Sequence, residues 1–145
     1  MLKAEFEFIF KDKIEYAVGG NTKIATNLTI KAPSYVDTKS VFKLHSIYRQ
    51  GVLRYIEKNK DNKSEQNEVI SQEVTHEDEV NGIIGILINS DCDSDRMFDI
   101  FNDLLVKSAK VDGKEPLTPF LISKLSPQET LRCLGEYLVN FPIAV

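Results

Sequence analysis

Aromatic residues fall at every second position in Phe6-Glu-Phe-Ile-Phe10, and the same period runs on through Ile14-Glu-Tyr-Ala-Val18. A period of two turns one apolar face of a strand toward a core. Gly19 and Gly20 follow, then Asn21, a group that reaches positive φ cheaply and suits a tight hairpin connection. The return arm, Lys23 to Ile30, is rich in Thr and Ile, keeps Leu28 and Ile30 on one face and is stopped by Pro33. The pattern predicts a β-hairpin, with the segment around Phe8 available as a third strand.

After Ser34 the period changes. Tyr35, Val41, Leu44, Tyr48, Val52, Tyr55 and Ile56 stand largely three and four apart, which predicts an amphipathic helix from about 35 to 58. Gly51 falls inside it, at a cost of about 1 kcal/mol relative to alanine, and is expected to bend or break the helix or to admit a close neighbour. From Lys58 to Glu68 there is no apolar residue, and Val69 to Glu79 adds few. Such a stretch buries too little surface to offset the entropy of ordering it, so residues 59–76 are read as a charged mobile linker or loop in which proteases cut first. The predicted organisation is a hairpin plus helix over 1–58, this linker, and a helical part over 77–145.

Val80 to Ile88 is a short apolar segment open to either a helix or a strand, with Gly82 and Gly85 counting against both. Met97, Phe98, Phe101, Leu104, Leu105 and Ser108 mark one face of a further helix, and Ala109 to Pro116 reads as a loop. Thr118-Pro119 and Ser126-Pro127 each pair a hydroxyl N-cap with proline at the first helical position, and Glu129 completes a capping box with Ser126. The last helix carries Leu131, Leu134, Tyr137, Leu138 and Phe141 on its apolar face and ends at Pro142. The fold class is therefore α+β, an N-terminal hairpin or small antiparallel sheet followed by a mainly helical part.

Composition narrows the function. The 145 residues carry a net charge of −4, which argues against the clustered Lys and Arg of a nucleic-acid surface. The opening residues alternate charged with apolar and lack the apolar core of a secretory signal, and no run approaches the roughly 18 apolar residues of a membrane span. Two cysteines, Cys92 and Cys133, are too few for a disulfide framework, and a reducing cytoplasm is the expected setting.

The strongest apparent site is Asn89-Ser-Asp-Cys-Asp-Ser-Asp-Arg-Met-Phe-Asp-Ile100, with aspartates at alternate positions. A calcium loop framed on Asp91 fails, because its sixth position, normally glycine, is Arg96 and its twelfth, normally a bidentate glutamate, is Asn102. A helix start with Asp93 or Ser94 as N-cap explains the same residues. His76-Glu-Asp-Glu-Val80 lacks the second histidine of a zinc-protease helix, and Gly19-Gly-Asn-Thr-Lys23 lacks the glycine spacing of a phosphate loop. His45 is expected on the polar edge of its helix, solvated, and Cys133 between core positions as a buried structural thiol. No catalytic, cofactor-binding or metal-binding residue is assigned, and an enzyme would need a deep pocket in which carboxylates such as Asp91, Asp93 and Asp112 converge. A binding or assembly protein is expected instead, whose partner surface the sequence leaves unknown.

Lys13-Ile-Glu-Tyr-Ala-Val-Gly-Gly20, the strand from Thr22 into Leu-Thr-Ile-Lys-Ala-Pro33, the helix after it, and Phe98-Asp-Ile-Phe-Asn-Asp-Leu-Leu105 through Leu134-Gly-Glu-Tyr-Leu-Val-Asn-Phe141 together resemble the tail assembly chaperones of long-tailed bacteriophages. The resemblance covers most of the chain. It implies a non-catalytic homo-oligomer, made in the cytoplasm of the infected bacterial host and absent from the mature virion. It also implies that the protein binds the tape measure protein, aids assembly with the tail tube protein, and in many members exists in a longer frameshifted form. A small acidic phage-type inhibitor or regulator, acting by protein-protein binding, would share the same composition.

Overall fold

A computed structural model describes residues 4–58, 75–89 and 93–142. In chain order it contains β1 (Glu5–Val18), β2 (Asn21–Lys31), a 3-10 turn (Tyr35–Asp37), α1 (Thr38–Lys58), α2 (His76–Asn89), α3 (Ser94–Ser108), β3 (Ala109–Val111), β4 (Glu115–Pro116), α4 (Pro119–Ser123) and α5 (Pro127–Asn140). The architecture is α+β, with one antiparallel sheet in the order β1-β2-β3-β4 and a mostly helical remainder. Nearly all of the segment read as a linker, together with Asp91 and Cys92, lies outside the described residues.

The two aromatic runs near the N-terminus are one strand, so the hairpin gains no third strand from Phe8. Gly19 and Gly20 make its turn, as the sequence predicts. Along the hairpin Ile9 faces Asn27, but the next pair is Ile14 with Ala25, so β1 advances five residues where β2 advances two. This bulge has a purpose visible in the burial pattern. Leu28 and Ile30 are buried on one side of it and Ala25 on the other, a change from even to odd positions that a regular strand cannot make while keeping one face on the core.

Residues 109–116, read as a loop, are instead the hairpin β3–β4. Ala109 and Val111 are buried with Lys110 exposed between them, and β3 adds to β2 through the pairs Ile30 with Ala109 and Leu28 with Val111. The turn is made by Asp112 and Gly113, both at positive φ, with the Lys114 N–H donating to the Val111 carbonyl at 3.0 Å. An Asp-Gly pair between short alternating segments is the sequence signal for such a turn.

The helix expected from 35 opens as the 3-10 turn and becomes α-helical at Thr38. It then continues through Gly51, which is buried, without a break. The ambiguous 80–88 segment is helical and belongs to α2. Gly135 of α5 allows α2 to lie close, since a Cβ there would stand 3.1 Å from Val80 Cγ1. Thr118 and Ser126 cap α4 and α5 as expected, accepting from the N–H groups of Leu121 and Glu129 at 3.3 and 3.2 Å. The reciprocal half of the capping box is replaced: the Glu129 carboxylate turns away to the β1 bulge, where the Lys11 N–H donates to it at 3.2 Å.

Phe8 of β1, Leu44 of α1, Phe101 of α3 and Leu134 of α5 belong to one buried cluster, so residues 4–58, 75–89 and 93–142 share a core. A run of aromatic rings threads it, Phe6 to Phe141 at 5.3 Å, Phe141 to Tyr137 at 5.0 Å and Tyr137 to Phe101 at 5.3 Å. The two pairs that include Tyr137 meet edge-on, a geometry that adds to the gain from burial alone.

Candidate functional site

Helix α3 lines an open, largely apolar groove. It begins where the sequence places a cap: the Asp93 carboxylate accepts from the Arg96 N–H at 3.3 Å, and Asp95 adds negative charge to the first turn. Met97, Phe101, Leu104 and Leu105 turn inward and are buried. One position round the helix, Ser94, Phe98 and Asn102 follow at intervals of four and form one wall of a groove of about 550 Å³. Leu87 and Ile88 of α2 close one end, and Ile122, Leu125 and Leu131 from α4, its following turn and α5 form the opposite wall. The volume lies within the range of about 300–1,000 Å³ typical of ligand pockets, and the lining is largely aliphatic with a few polar groups. Among these, Asn102 Oδ1 is buried and has no hydrogen-bond partner among the described residues.

A further step round α3, Asp95, Asp99 and Asp103 form an exposed acidic stripe along the lip of this groove. Among the described residues none of the three takes part in an ion pair. The groove is therefore an apolar trough with one anionic edge.

Of the three carboxylates weighed above, Asp91 lies outside the described residues, and Asp93 and Asp112 stand apart. Asp93 caps the start of α3, whereas Asp112 sits beyond its far end, and a helix of 15 residues is about 22 Å long. Asp112 is engaged elsewhere: its Oδ1 accepts from the Thr26 N–H at 3.0 Å, the Thr26 hydroxyl at 2.9 Å and the Asn27 N–H at 3.2 Å. Desolvation works against its charge, but these bonds outweigh it and hold the carboxyl below its ordinary pKa. Among the described residues no three His, Cys, Asp or Glu side chains are grouped to hold a metal ion.

The remaining residues weighed from sequence have structural partners. His45 is half-buried, not solvated, and its Nε2 lies 3.1 Å from the Phe141 carbonyl, which fixes the proton on Nε2 when the ring is neutral. Burial lowers its pKa against the opposing effect of that bond. His76, at the start of α2, meets Glu136 of α5 at 2.7 Å. Lys23, beyond the Gly19–Gly20 turn, pairs with Glu115 at 3.7 Å. Cys133 is buried as expected, and burial raises its thiol pKa, which keeps it protonated and unreactive.

No family model, curated protein or solved structure matches this chain. No helix among the described residues is long and apolar enough to cross a membrane. The groove residues escape a reading of the sequence because Phe98 looks like one more core position of α3. The only trace is that its apolar face is wider than a single buried stripe needs.

Proposed function

We propose that this chain is a non-catalytic assembly chaperone of the kind that serves long-tailed phages, binding an apolar helical segment of the tape measure protein and aiding assembly of the tail tube. In this reading it works as a homo-oligomer in the cytoplasm of the infected bacterium and leaves before the virion is complete. The observation that carries the proposal is the α3 groove, open to solvent and lined by Phe98, Ile122 and Leu131. Amphipathic helices are recognised by troughs of this sort, through anchors at i, i+3 or i+4, and i+7. The resemblance of Lys13 to Pro33 and of Phe98 to Phe141 to tail assembly chaperones supplies the identity of the client. The acidic composition, with a net charge of −4, discourages nonspecific association with nucleic acid during assembly.

Co-expression with a candidate phage tape measure protein tests the reading. The soluble fraction of that protein should rise several-fold with the wild-type chain and much less with Phe98→Asp. A tape measure protein whose solubility is indifferent to the chain would end the proposal.

A further inference from the structure

Helix α1 carries a second apolar surface that is exposed among the described residues. Its inner face, Val41, Leu44 and Ile47, is buried, while Phe42, Leu53 and Ile56 on the opposite side are 54%, 61% and 49% exposed. Phe42, Arg49 and Ile56 recur every seven residues and Leu53 stands four beyond Arg49, so the exposed set forms a straight ridge along the helix. The ridge is basic. In a chain of net charge −4, α1 alone holds Lys39, Lys43, Arg49, Arg54 and Lys58 against Glu57.

Two α1 ridges offer each other no opposite charge, because an antiparallel pairing centred on Arg49 would set like charges together. The α3 groove has the opposite character, an apolar floor beside the unpaired Asp95, Asp99 and Asp103. Its α3 wall, Ser94 to Asn102, spans about 12 Å, or roughly two helical turns, which is the length over which Arg49, Leu53 and Ile56 would present one basic and two apolar side chains. We propose that the α1 ridge of one copy seats in the α3 groove of a second copy, with Arg49 toward the aspartate stripe, giving a head-to-tail and salt-sensitive self-association. Because the two surfaces differ, every open assembly has one ridge and one groove free at its ends, so growth either closes as a ring or continues. The proposal rests on the groove being the partner-binding site, and it makes self-association a competitor of any client helix.

Sedimentation velocity of the pure full-length chain, at several concentrations and at low and high salt, tests this without any client present. Arg49→Glu spoils only the ridge and Asp99→Lys only the groove, and both positions are exposed. Each variant alone should associate at least about tenfold more weakly than wild type, with an unchanged melting temperature. An equimolar mixture of the two should recover a 1:1 complex, since each retains the surface that the other lacks. A wild-type chain that stays monomeric throughout, or variants that associate as well as wild type, would overturn the proposal. So would a mixture that fails to recover association, which would indicate a symmetric interface. Loss of binding to anionic vesicles by Arg49→Glu with self-association intact would assign the ridge to lipid and equally refute it. Tape measure solubility is a separate measurement, so failure here and failure of the chaperone reading can be told apart.

Discussion

Glu129 Oε1 accepts a hydrogen bond from the Lys11 backbone N–H at 3.2 Å, joining the last helix to the first strand across nearly the whole sequence. The second carboxylate oxygen takes the Arg132 guanidinium at 2.7 Å, and that guanidinium also reaches the Ile9 carbonyl at 2.8 Å and lies over the Phe8 ring at 4.2 Å. The carboxylate is nearly inaccessible, so its loss leaves both the bulge N–H and Arg132 short of a partner. Glu129→Ala should cost about 2–3 kcal/mol, as removal of buried charge-assisted bonds does. Urea unfolding measures it, and a loss below about 0.5 kcal/mol would show that the bulge is held by packing alone.

Tyr137 gives the opposite prediction. Its ring is fully buried between Phe101 and Phe141, while its hydroxyl finds no hydrogen-bond partner among the described residues. Burial, with smaller contributions from Asp37 and Cys133, raises its pKa, so the hydroxyl stays neutral at any ordinary pH. A buried donor without an acceptor carries a desolvation cost that a hydrogen atom in its place does not. Tyr137→Phe should therefore keep the ring packing and leave stability unchanged or raised by up to about 1 kcal/mol. Calorimetry that finds the variant destabilised by more than about 1 kcal/mol would mean that the hydroxyl has a partner after all.

The His45 ring sets a pH dependence. Its folded pKa lies below the unfolded value of about 6.5, so the unfolded chain binds the proton more readily. The neutral ring's contribution is thus complete above about pH 6.5 and is lost as pH falls through the depressed folded pKa. Wild-type stability should fall with acidification in that window more steeply than that of His45→Gln. Proton NMR of the folded chain gives the direct check: a His45 midpoint at or above 6.5 would remove the argument.

Period alone identified most elements, because each spans enough residues for its repeat to dominate. The hairpin turn at Gly19, the long helix ending at Lys58, the caps at Asp93, Thr118 and Ser126, and the buried Cys133 all follow from local chemistry. The failures share a cause. β3 is three residues long, too short to express a period, and its strand character comes from pairing with β2, far away in sequence. The bulge could not be foreseen without knowing that Glu129 and Asp112 stand on either side of it. His45 was misplaced because its partner is a carbonyl from the far end of the chain. The groove was hidden for the same reason, since three of its walls meet only after folding.

The bulge and its attachments bear on how the molecule meets others. In the order β1-β2-β3-β4, β1 is an outer strand of 14 residues, long enough to template the addition of a foreign strand. Its Ile9 carbonyl, Lys11 N–H and Glu15 carbonyl are instead occupied by Arg132, Glu129 and Lys124. The helical part thus works as a clasp along the exposed margin of the sheet, interrupting the row of free backbone groups that strand-by-strand aggregation requires.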